Sequence, residues 1–80
     1  MIFTLLKSQI SVDLSQLVAV KTWSYTISQE IPRGVRVYFK DGDKVKGIDG
    51  LEIGRIDASF EFEKIVKAWE KYRLENSTDE

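Results

Sequence analysis

The run from Ser59 to Arg73, SFEFEKIVKAWEKYR, constrains this chain more than any other stretch, because it carries its one helical stripe. Counted from Phe62, apolar residues return at Ile65, Val66, Trp69 and Tyr72, positions that share one side of an α-helix. Before it, from Met1 to Ile53, the chain shows the alternation, β-branched residues and turn punctuation of antiparallel strands. A sheet with one apolar face needs a cover, and no other segment can supply it. The expected fold is α+β: a curled antiparallel meander of four to six strands over residues 2–56, with an amphipathic helix at about 58–74 on its concave side. Residues 1–74 form the expected single domain, and 75–80 a frayed tail.

At 80 residues, 42% hydrophobic and 31% charged, the composition is that of one ordinary globular domain. A chain this short buries only about 60–65% of its unfolded surface, for a stability on the order of 3–5 kcal/mol. Large apolar residues are therefore assigned to the core first. There is no cysteine, which removes disulfides and thiolate metal sites and makes a reducing cytoplasm the expected compartment. The opening MIFTLLKSQ has no basic segment before its apolar residues, is interrupted by Thr4 and stops at Lys7, unlike a secretion signal. No run approaches the roughly 18–20 apolar residues that cross a bilayer, so no membrane contact is expected.

In the strand region, IFTLLK is the first expected strand and ISVDL the second, with Ile10, Val12 and Leu14 on one side. Leu17 to Ser28 is long for one strand. Trp23, Tyr25 and Ile27 share a face while Val18 and Val20 fall on the other, so a bulge near Lys21 and Thr22 is expected to turn both sets inward. Pro32 and Gly34 mark a loop. VRVYFK and the run after Asp41-Gly42 form a hairpin. A three-residue turn, Asp41 to Asp43, pairs Phe39 with Val45 and keeps core and solvent residues apart, so it is preferred over a two-residue loop. LEI, Leu51 to Ile53, is a short last strand or an ordered loop.

The helix has Asp57 or Ser59 as its expected cap, acids early, Lys71 and Arg73 late, and a Glu63 to Lys67 pair. Phe60 points nearly opposite the stripe, near Leu74; it either packs back on the sheet or is an exposed contact. Lys64, Lys67 and Lys71 read as a solvated face. A meander followed by one terminal helix carrying Trp69 resembles a shortened pleckstrin-homology arrangement. It lacks at least one strand and any loop motif that would bring a lipid site with it.

Most chemistry is absent from the residue inventory. Without His or Cys there is no imidazole base, thiol nucleophile or common transition-metal site. Gly42 to Gly47 has the glycine spacing of a phosphate loop, but Ile48 and Asp49 stand where Lys and Ser/Thr are required. Asp41, Asp43, Asp49 and Glu52 fit a calcium-loop frame, yet Lys46 replaces its obligatory glycine and a strand precedes it. No enzyme, metal or cofactor is expected.

The net charge of −1 argues against a dedicated duplex binder, although residues 1–48 carry seven basic against four acidic side chains. With Val35, Val37 and Phe39 inward, Arg36, Tyr38 and Lys40 face outward, with Lys46 expected beside them and Arg33 at the loop. This basic and aromatic set is the expected partner-binding site. A protein contact is the leading reading, as in an accessory regulator or a phage-type inhibitor of a host complex. Single-stranded nucleic acid is the second, because it needs charge for phosphate and a ring for stacking. A solvated strand face is the bland alternative. Self-association through edge strands, or through Phe60 and Leu74, is a further one.

Overall fold

A computed structural model describes residues 1–25 and 31–76. The fold is α+β: five antiparallel strands in two sheets, with one C-terminal helix packed on them. The curled meander is thus divided. β1 (Ile2–Leu5) pairs with β2 (Ile10–Asp13), and β3 (Leu17–Trp23), β4 (Gly34–Asp41) and β5 (Lys44–Asp49) form a separate sheet in that order. Asp13 makes the break between them. Its carboxylate accepts from the Ser15 amide (3.0 Å) and hydroxyl (2.8 Å), opening a 3-10 turn at Leu14–Gln16. These bonds, with the nearby N-terminal ammonium, hold the Asp13 carboxyl below its ordinary pKa.

Ile10, Val12 and Leu14 are all buried, as their alternation predicts, and join Leu5, Leu17, Val35, Val37 and Ile65 in one core. Each such side chain contributes about 1.5–3 kcal/mol by leaving water. The β3 bulge lies between Leu17 and Ala19, not near Lys21 and Thr22. Val18 is the extra residue, and Val20 and Thr22 then oppose Val37 and Val35 on the inner face. Trp23 consequently falls on the outer face, against expectation. It lies over Gly34, where a Cβ would sit 2.6 Å from the indole Cε2, and its N–H donates to the Gly50 carbonyl at 3.2 Å. The strand ends there, short of Tyr25; Ile27 and Ser28 lie outside the described residues.

The β4–β5 hairpin also corrects the expected register. Asp41 pairs with Lys44 and Phe39 with Lys46 across a two-residue turn, Gly42-Asp43. Burial cannot set the register here, because every residue of β5 is exposed and there is no buried pattern to obey. Turn chemistry decides instead: Gly42 has φ of 69° while Asp43 is not left-handed, the type II′ pattern that matches strand twist.

LEI is an ordered loop. The Gly50 amide donates to Val35 (2.7 Å), Leu51 to Ser8 (3.1 Å) and Ile53 to Arg33 (2.8 Å), tying the loop to β4 and to the β1–β2 connection.

Gly54, at φ 89°, makes the sharp turn into α1 (Arg55–Glu75) and occupies the N-cap without a side-chain bond; neither Asp57 nor Ser59 caps. Asp57 instead pairs with Lys7 at 3.0 Å. The helix packs on β3, β4 and β1. Its buried line runs through Ala58, Glu61 and Ile65, with Phe62, Ala68, Trp69 and Tyr72 half-buried beside it. Phe60 and Leu74 are exposed, so Phe60 does not pack back on the sheet. Of the expected tail, Glu75 is helical and Asn76 is the C-cap, donating to Tyr72; 77–80 lie outside the described residues.

Candidate partner-binding face

The side of the β3–β4–β5 sheet turned away from the helix is built from two cross-strand rows. Lys21, Arg36 and Asp49 form one, and Ala19, Tyr38 and Gly47 the other. Arg36 forks onto Asp49, Nε to Oδ1 and Nη2 to Oδ2 at 3.1 Å. This pairing, with a contribution from Tyr38, raises the guanidinium pKa further above its ordinary value. In return Arg36 draws the Asp49 carboxyl below its own, assisted by Lys21. The geometry is that of a planar, two-bond ion pair, which orients Arg36 rather than leaving it loose.

Tyr38 rests beside Gly47, where a Cβ would come within 3.0 Å of the ring. The missing side chain lets the phenol settle toward the sheet, and the Lys21 ammonium stands 5.9 Å from its centroid. Lys40 extends the face toward the hairpin turn, opposite Val45, and is exposed.

At the other end, Trp23 meets Tyr25 edge-on with centroids 5.6 Å apart. Arg33 lies over the Tyr25 ring at 5.7 Å and reaches Glu52 at 4.0 Å. The Tyr25 hydroxyl donates to Glu52, which lifts the phenol above its ordinary pKa.

Of the five residues expected at the site, Arg36, Tyr38 and Lys40 share this face, and Arg33 borders it beside Tyr25. Lys46 does not join them. The corrected register turns it to the Phe39 side, where it pairs with Asp41 at 2.6 Å. Two members were missed, Lys21 and Trp23. The signal was their two-residue spacing in KTW, obscured by assigning Trp23 to the core.

Three of the four acids of the calcium-like frame are engaged by separate partners. Asp41 pairs with Lys46, Asp49 with Arg36, and Glu52 serves Tyr25 and Arg33. Among the described residues no group of three or more His, Cys, Asp or Glu could hold a metal. Nor is any described helix long and apolar enough to cross a membrane. A cleft of about 260 Å³ between β2 and the β4–β5 hairpin has an apolar floor of Val12, Phe39 and Ile48.

No protein-family model, curated protein or solved structure matches this chain.

Proposed function

We propose that this protein is a non-enzymatic binding module that acts by occupying a protein partner's surface, with Lys21, Trp23, Arg36, Tyr38 and Lys40 as the contact set. As an accessory regulator or inhibitor it needs no catalytic group, and its lack of cysteine suits the cytoplasm. The observation that carries this reading is the orientation of Arg36 and Tyr38, both half-exposed, on a sheet face that no other described strand or helix covers. Arginine and aromatic side chains dominate binding energy at protein interfaces, and ordering them beforehand lowers the entropic cost of association. Asp49 favours a protein over a nucleic acid: it already satisfies the Arg36 guanidinium, and its own charge repels phosphate.

The test is affinity capture from native lysate, with and without nuclease, on the wild type and on a folded Arg36→Ala/Tyr38→Ala/Lys40→Ala variant. The expected result is a stoichiometric protein, retained after nuclease and lost on the variant. Retention that vanishes with nuclease would replace this reading with single-stranded nucleic-acid binding. A partner held equally by both proteins would move the contact elsewhere.

A further inference from the structure

The helix has a second surface. Ile56, Phe60, Lys64, Lys67, Lys71 and Leu74 are all exposed, and at about 100° per residue they fall within about 40° of the Phe60 direction. Ile56, Phe60 and Leu74 retain 80%, 63% and 77% of their accessible surface, high values for large apolar side chains in a core-poor domain. Lys64 stands 5.7 Å from the Phe60 ring centroid. None of the three lysines forms an ion pair among the described residues, and the expected Glu63 to Lys67 pair is not made. The stripe is thus apolar at its ends and uniformly basic in its middle, on a chain whose net charge is −1.

We infer that this stripe docks an acidic amphipathic helix of a partner protein. Charge complementarity selects the occupant. A second copy is disfavoured, because a two-fold antiparallel pairing of the stripe sets Lys64 and Lys67 against Lys67 and Lys64. An anionic bilayer is disfavoured because its continuous plane of charge would also meet the acids that border the stripe, Asp57 and Glu75 on one side and Glu63 and Glu70 on the other, whereas a helix can seat its acids on the lysine row alone. At 1.5 Å per residue, Lys64 to Lys71 spans about 10 Å and Ile56 to Leu74 about 27 Å. The matching ligand is a helix of about five turns with acids at i, i+3 and i+7 and an apolar residue beyond each end.

This surface points away from the sheet and is independent of the sheet-face reading. The two contacts would let one domain bridge two partners.

The experiment is fluorescence anisotropy of the full chain with a labelled synthetic helix of about 20 residues carrying that acid and leucine spacing. A control peptide has the same composition with its acids distributed around the helix. Phosphatidylserine vesicles are tested in parallel. We expect the patterned peptide to bind, binding to weaken about tenfold or more in Lys64→Glu/Lys67→Glu/Lys71→Glu, and a smaller loss in Phe60→Ala. Tyr38→Ala should leave this affinity unchanged, which separates the result from the sheet-face reading. Circular dichroism verifies that each variant is folded. Absence of binding, equal binding of both peptides, indifference to charge reversal, or capture by vesicles in preference to the peptide would each overturn the inference.

Discussion

Ser8 donates both its amide (3.0 Å) and its hydroxyl (2.6 Å) to the same carboxylate oxygen of Glu61, a residue 53 positions later in the chain. The other oxygen accepts from the Lys7 amide at 3.2 Å. A carboxylate on the buried line of the helix thereby closes the β1–β2 connection, where Gln9 takes a left-handed backbone (φ 57°). Burial of the charge is tolerated because donors from the loop satisfy it.

Glu61→Ala is expected to destabilise the protein by about 2–4 kcal/mol, since it strands buried donors and opens a gap beside Ala58 and Ile65. Against a total of the same order, much of the population would unfold at room temperature. Glu61→Gln keeps an acceptor oxygen and should cost less. Urea denaturation of both variants checks the order; equal stabilities would mean the clasp contributes little.

Gly34 is expected to tolerate no side chain. A Cβ there would clash with the Trp23 Nε1, stand 2.6 Å from its Cε2 and lie 2.8 Å from the Leu51 carbonyl oxygen, so either the indole or the loop backbone must move. Gly34→Ala should cost about 1–3 kcal/mol. In a Trp69→Phe background Trp23 alone reports, and its fluorescence should shift toward the solvated value.

Gly42 offers the opposite case. Nothing lies within 4 Å of its would-be Cβ, so only its φ of 69° resists substitution. Gly42→Ala is expected to cost about 1 kcal/mol and Gly42→Asn distinctly less, because asparagine enters the left-handed region more readily. Thermal melts of the pair check this; equal losses would argue against the two-residue turn.

Asp49 should contribute to acid sensitivity. Its folded pKa lies below the ordinary 3.8, so its contribution is present above the unfolded value and is lost as pH falls through the lower folded one. Because the Arg36 to Asp49 pair is partly exposed, the effect is held below about 1 kcal/mol. Urea midpoints measured across the acid range should fall less steeply in Asp49→Asn than in the wild type.

Local patterns in the sequence carried much of the architecture. Alternation at Ile10, Val12 and Leu14, and helical spacing from Phe62 to Tyr72, depend on neighbours along the chain, and they correctly predicted α+β. Site residues were legible where inward neighbours were strongly apolar: Val35 and Val37 bury, so Arg36 and Tyr38 face out. Lys46 was misplaced because β5 buries nothing, and a strand without a buried face offers no periodic clue to its register.

The order of elements, the absence of histidine and cysteine and the identity of most core residues were thus determined by the sequence itself, since each rests on local spacing or on residue type. Tertiary structure alone decided the rest. A single bulge at Val18 sent Trp23 outward, a left-handed glycine turned Lys46 away from Arg36, and Ser8 drew Glu61 into the buried helix line. In each case the deciding partner is distant in sequence or the deciding variable is one backbone angle, and neither leaves a periodic trace among the residues it controls.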